Sequence, residues 1–206
     1  MASKKRLIVG ISGATGIIYG VRLLQLLRQT DVESHLVVSR AGDMTRSHEL
    51  DLDAQQLREL ADVSYPIGDV GAAISSGSFR TLGMVVIPCS VRTLAEIATG
   101  VTSSLLTRAA DVVLKERRRL VLMVREAPLN LIHLRNMVSV TEAGGIIFPP
   151  VPAFYTMPSS VDELVTATAA RVLDLFDIEV DELQRWGEDI DMHSKKRCGN
   201  QRVDPR

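Results

Sequence analysis

Short apolar runs bounded by glycine, proline or serine recur at Leu7–Gly10, His35–Ser39, Gly83–Pro88, Leu120–Val124 and Gly145–Phe148. Runs of this length without polar alternation are how strands covered on both faces read, and they predict a parallel sheet. The segments between them place apolar residues at helical spacing: Gly16–Arg28, Ala41–His48, Ala54–Ala61, Leu94–Ala98, Ser104–Arg118, Leu129–Ala143 and a last one at Val161–Phe176. In that last helix Val161, Leu164, Val165, Val172 and Leu175 trace the inward stripe, with Thr168 as its hydroxyl and Arg171 beside it. Strands alternating with helices predict an α/β fold, an open doubly wound parallel sheet in a Rossmann-like or flavodoxin-like three-layer sandwich.

Ligands of such sheets sit in the crevice at the carboxyl ends of the strands. The loops Ile11–Gly16, Cys89–Thr93, Arg125–Pro128 and Pro149–Tyr155 fall there. The first reads Gly10-Ile-Ser-Gly-Ala-Thr-Gly16, a turn from a buried strand into a helix N-terminus. Two readings stand: a phosphate held by backbone N–H groups and the helix dipole, or a tight turn whose glycines serve packing alone. It matches neither the dinucleotide fingerprint nor the P-loop. Ser90 and Thr93 in the second loop can cap the next helix or cradle part of a ligand, and Cys89 reads as a small core residue. In the third, Arg125 and Glu126 bring a cation and a carboxylate to a strand end. The fourth is stiffened by proline, either to hold Tyr155 in a binding loop or simply to connect two elements. Arg108, Asp111 and Lys115 share a helix face, a pattern that surface ion pairing explains as well as function does. Arg171 needs an anionic partner or must reach water.

With 206 residues and 46% hydrophobic composition, the chain is sized for one core. The expected organisation is a single α/β domain over 1–187 followed by a polar tail over 188–206. The net charge of -1 supplies no overall field for nucleic acid or an anionic membrane, so any anion must be held locally. Cys89 and Cys198 lie far apart and form neither a disulfide framework nor a ligand pair, which fits a reducing, cytoplasmic setting. The start of the sequence shows neither a signal peptide nor a membrane span. His35, His48, His133 and His193 are scattered without ligand spacing, so no metal site is expected.

Taken together, Gly10-Ile-Ser-Gly-Ala-Thr-Gly16, Ile74-Ser-Ser-Gly-Ser78, Pro88-Cys-Ser90, the block Leu106 to Arg117, Arg125-Glu-Ala-Pro128, Pro149 to Tyr155 and Arg185-Trp186 closely resemble the UbiX/Pad flavin prenyltransferases, in the same order along the chain. The resemblance covers about residues 5 to 187. It implies a homo-oligomer, a dodecamer by family likeness, that joins the prenyl group of dimethylallyl phosphate to N5 and C6 of reduced FMN and releases phosphate. A UbiD-type decarboxylase would use the product. Gly13, Ala14, Thr15, Ser39, Ser90, Val91, Arg92, Thr93 and Arg125 would correspond to the FMN-binding positions. Arg108, Lys115, Arg125, Tyr155 and Arg171 would correspond to the substrate-phosphate positions, and Glu49, Lys115, Glu126, Tyr155, Arg171 and Trp186 to the catalytic ones, with Trp186 an aromatic wall. The resemblance also implies a site shared between subunits. Thr15 stands where many members carry serine. The absence of an aspartate-rich run agrees with a metal-independent transfer in which Arg and Lys hold the phosphate directly. Two other readings compete: an FMN-dependent decarboxylase of the flavodoxin-like cysteine decarboxylase group, and a non-catalytic FMN carrier.

Overall fold

A computed structural model describes residues 4–190 of the chain. Six strands form one sheet: β1 (Arg6–Ile11), β2 (Glu33–Val38), β3 (Val63–Tyr65), β4 (Gly83–Cys89), β5 (Arg119–Val124) and β6 (Ile146–Ile147). All pair in parallel in the order β3-β2-β1-β4-β5-β6. Seven helices connect and cover them: α1 (Ile17–Leu27), α2 (Arg40–Glu49), α3 (Ala54–Glu59), α4 (Val91–Ala98), α5 (Leu105–Lys115), α6 (Leu131–Glu142) and α7 (Val161–Asp174). This is the doubly wound α/β arrangement that the alternating pattern predicts. The chain steps outward from β1 to β3 and restarts with β4 on the other side of β1. The loops leaving β1 and β4 therefore diverge and open a crevice between them.

Alternation within the central strands makes two separate cores. Leu7, Val9 and Ile11 of β1, Val85 and Ile87 of β4, and Val121 and Met123 of β5 pack with α1 and α7. Their neighbours Ile8, Met84, Val86, Leu120, Leu122 and Val124 pack on the opposite face with α4, α5 and α6. Side chains point to opposite faces at successive strand positions, so a run of unbroken apolar residues serves both layers at once. Each fully buried Leu, Ile or Val contributes roughly 1.5–3 kcal/mol of transfer free energy.

Several predicted boundaries shift. β3 escapes the sequence reading because it is a three-residue, half-buried edge strand with Ser64 at its centre, leaving no apolar run to see. The strand expected at Gly145–Phe148 contracts to Ile146–Ile147. α4 begins three residues earlier than expected, at Val91, because Ser90 caps it and accepts from the Thr93 N–H. α5 stops at Lys115, and Arg117 takes a left-handed φ of 56° that turns the chain into β5. In α7 the expected inward position Val161 is exposed, and the buried stripe runs through Val165, Thr168, Ala169, Val172 and Leu173. The part of the expected polar tail from residue 191 onward, with His193 and Cys198, lies outside the described residues. Among the described residues no helix is long and apolar enough to cross a membrane.

A polar network is buried at the amino ends of β1 and β2, against β3. His35 is 2% exposed, with Nδ1 at 2.9 Å from the Tyr65 hydroxyl and Nε2 at 2.9 Å from a Glu33 carboxylate oxygen. Lys4 and Arg6 also hold Glu33 and depress its carboxyl to about 2. Burial pulls the His35 imidazole below its usual range, outweighing the attraction of Glu33. A histidine kept neutral by folding stabilises the native state fully above its unfolded pKa, and that contribution is lost as pH falls below it. Unfolding by urea should accordingly become easier between pH 7.5 and pH 5, while His35→Gln flattens this part of the profile. Parallel profiles for the two proteins would remove His35 from the account.

Candidate functional site

The N-termini of α2, α4 and α5 converge at the carboxyl ends of β2 and β4. Each carries a serine cap: Ser39 accepts from the Gly42 N–H, Ser90 from Thr93 and Ser104 from Thr107. The first loop joins them through Ser12, which is fully buried. Its hydroxyl donates to the Pro88 carbonyl at 3.1 Å and accepts from the Ser90 N–H at 2.8 Å. A cleft of about 440 Å³ lies between these elements, within the usual size range of small-molecule sites. Gly13, Ser39, Ser90, Arg92 and Thr93 line it, five of the nine positions expected for FMN.

The other four lie near it in sequence but do not line it. Ala14 is buried within the first loop, Thr15 is exposed, and Val91 is the first residue of α4. Arg125 is exposed, while its N–H donates to the Cys89 carbonyl at 3.1 Å and so fixes the third loop beside the second. Sequence reasoning missed Ser12, Arg40, Ser104 and Thr107. The cap sequence Ser104-Leu-Leu-Thr107 was a readable helix-start signal, and Arg40 directly follows the end of β2. Arg40 and Arg92 bring positive charge to the cleft, with Glu96 accepting from Arg92 at 3.0 Å and from the Ser103 hydroxyl at 2.7 Å.

One of the two readings of the first loop put a phosphate at the N-terminus of α1. Glu49, the last residue of α2, places its carboxylate on the Gly16 N–H at 2.9 Å and the Ile17 N–H at 3.0 Å. The reasoning that an anion belongs there holds, but the anion is a side chain of the protein. The hydroxyls and helix N-termini that line the cleft are those of α2, α4 and α5.

Cys89 is fully buried and burial pushes its thiol well up, so it serves the core and not as a nucleophile. Among the described residues no group of three His, Cys, Asp or Glu could hold a metal ion.

The expected donor-phosphate and catalytic groups are divided by the sheet. Arg108 and Lys115 project from the solvent face of α5, in the α4–α5–α6 layer, where Arg108 pairs with Asp111 at 2.8 Å and Lys115 with Glu116 at 2.5 Å. Lys115 ends α5, four residues before β5 begins, and is thus at the far edge of the sheet from the cleft. Arg171 belongs to α7 on the opposite face and pairs with Asp174 at 2.7 Å. Tyr155 sits in a short 3-10 turn, Phe154–Thr156, and meets Trp186 edge to face at 5.1 Å. Among the described residues Glu126 accepts only from the neighbouring Ala127 N–H. One chain brings Tyr155 to Trp186, and it does not bring either to Lys115.

The likeness to known proteins is extensive. The flavoprotein family model matches residues 1–182. Flavin prenyltransferase UbiX of Escherichia coli K12 is 58% identical over 185 residues, covering 88% of this chain and 98% of its own. The crystal structure of AnUbiX (PadA1) in complex with FMN and dimethylallyl pyrophosphate superposes with a TM-score of 0.88 at 49% identity, covering 89% of this chain and 98% of that one. A dodecameric FMN-dependent UbiX-like decarboxylase from E. coli O157:H7 gives a TM-score of 0.86 at 51% identity over 88% and 98% of the two chains. The chain belongs to the flavoprotein family and, within it, to the UbiX-type flavin prenyltransferases.

Proposed function

We propose that the protein joins the dimethylallyl group of dimethylallyl phosphate to N5 and C6 of reduced FMN and releases phosphate, supplying prenylated FMN to a UbiD-type decarboxylase. The carrying observation is the cleft at the strand ends, where three capped helix N-termini, a glycine and the Ser39, Ser90 and Thr93 hydroxyls meet two arginines in a chain of this family. That donor set suits the phosphate and ribityl hydroxyls of FMN. The reacting bond is the allylic C–O bond of the donor. Its electron pair leaves with the phosphate as flavin N5 bonds to the freed allylic carbon and gives up its proton; the prenyl alkene then takes up a proton and bonds to C6, which gives up its own, so the proton transfers balance. Arg108, Lys115, Arg125 and Arg171 supply positive charge for the departing phosphate, so no metal is needed to balance it. Tyr155 and Trp186 form an aromatic wall that shelters allylic cation character. Glu49 and Glu126 are the carboxylates available for proton transfer.

Because the sheet separates Lys115 from Arg171 within one chain, the complete donor site is built between subunits of a homo-oligomer. The dodecameric relative supports such an assembly. So does α6, whose Leu131, Ile132, Leu134 and Val138 are exposed, Ile132 to 67%. Replacing Ile132 with Asp should give a smaller species by light scattering with secondary structure retained. An unchanged mass would place the contact elsewhere.

Anaerobic incubation with reduced FMN and dimethylallyl phosphate, followed by mass spectrometry of the flavin and a phosphate assay, tests the activity. The expected product is a flavin heavier by one five-carbon unit, with phosphate released in the presence of a chelator. Unmodified flavin on folded, FMN-loaded protein, with the mono- and the diphosphate donor alike, would favour the carrier or decarboxylase readings.

A further inference from the structure

The Asp174 carboxylate is shared by two guanidiniums. Its Oδ2 accepts from Arg171 at 2.7 Å and its Oδ1 from Arg185 at 2.5 Å. The side chain of Asp174 is only 25% exposed, so the pair of arginines replaces much of its water. The residue after Arg185 is Trp186, which lies 5.1 Å from Tyr155 with the rings at 79°. One dipeptide thus touches both the carboxylate that holds Arg171 and the ring of Tyr155. The Arg185 N–H, donating to Asp189 at 2.7 Å, turns the following segment back on itself.

We propose that Asp174 and Arg185 are positioning residues that set Arg171 for the donor phosphate and couple its movement to the Tyr155–Trp186 wall. The proposal rests on the reading of Arg171 and Tyr155 as donor-phosphate groups. Before the donor binds, Asp174 fixes the Arg171 guanidinium at the end of α7 and reduces the rotamer freedom it must lose on binding. For Arg171 to take a phosphate it must leave Asp174. Were Arg171 the sole partner, its departure would leave a carboxylate unpaired close to the incoming anion, and the repulsion would oppose binding. Arg185 removes that obstacle, because it stays on Oδ1 and keeps Asp174 neutralised while Arg171 turns away. The same bond anchors the backbone that carries Trp186, so the aromatic wall and the phosphate-binding arginine keep one register.

The test uses the full-length oligomeric enzyme and the fact that Trp186 is the only tryptophan in the chain. For Arg185→Gln we expect the KM for dimethylallyl phosphate to rise about tenfold and kcat to fall by about threefold as the Trp186 wall loosens, with FMN affinity within about twofold of wild type. Arg185→Lys should recover most of the loss, and Asp174→Asn should red-shift the tryptophan emission as Trp186 parts from Tyr155. An unchanged KM in Arg185→Gln, or a joint fall of FMN affinity, kcat and thermal midpoint that lysine does not rescue, would overturn the proposal. If the wild-type enzyme transfers no prenyl group, the activity assignment fails by itself. The clamp is then judged by emission alone, where a red shift in Arg185→Gln supports it and identical spectra overturn it.

Discussion

Lys115→Ala and Arg171→Ala each lower prenyl transfer by about a hundredfold or more as homogeneous enzymes, and co-assembly of the two variants restores part of the activity. The first half follows from electrostatics. Each group supplies positive charge at a leaving phosphate, and removing one preorganised donor of this kind typically costs about two to three orders of magnitude in turnover. The second half follows from topology. Lys115 ends α5 in one layer and Arg171 lies on α7 in the other. If a site takes its lysine from one subunit and its arginine from another, random mixing leaves roughly a quarter of the sites with both groups intact. The measurement is prenylated flavin formed by the refolded mixture compared with either parent. No recovery above the parents would place both groups in one chain's site or remove one of them from the reaction.

Gly13→Val raises the dissociation constant for FMN by about a hundredfold, by the same measure of lost contacts. A Cβ added at Gly13 would stand 2.4 Å from the Ala41 Cβ and 3.1 Å from the Ala41 carbonyl carbon. Both neighbours belong to the first turn of α2, so no side chain can rotate away. Either the first loop or α2 must move. Each movement separates Gly13 from Ser39, and Ser39 and Ser90 flank the cleft. Flavin fluorescence titration checks the affinity and circular dichroism checks that the sheet survives. Combining Gly13→Ala with Ala41→Gly should bind FMN more tightly than Gly13→Ala alone, since the closest contact is Cβ to Cβ. Equal affinities would show that the α2 backbone alone sets the limit. Thr15→Ser, at an exposed position, changes affinity by less than about threefold.

The two parts of the site were legible to different degrees. The FMN half follows the chain locally, because strand ends, glycine turns and serine caps are all signals over a few residues. Gly13, Ser90 and Thr93 could therefore be placed at one crevice from the pattern of elements, while Ser39 came only with the family resemblance. Arg40, directly after β2, and Thr107, in the cap of α5, carry signals of the same local kind. Glu49 illustrates the opposite case. Nothing within its own helix signals that its carboxylate will cap α1, 33 residues earlier in the chain. Neither the Asp174 bridge between Arg171 and Arg185 nor the contact of Tyr155 with Trp186 has a local signature.

By itself the sequence determined the alternation of strands and helices, the parallel doubly wound architecture and the crevice loops. These depend on hydrophobic period and turn chemistry, which are properties of short windows. The resemblance in its ordered motifs added the family. Tertiary structure alone decided that β3 completes the sheet edge, that the Glu49 carboxylate caps α1, and that the sheet stands between Lys115 and Arg171. Such outcomes depend on which distant segments are brought together, and on the side to which each crossover helix folds. Packing of the whole chain sets both.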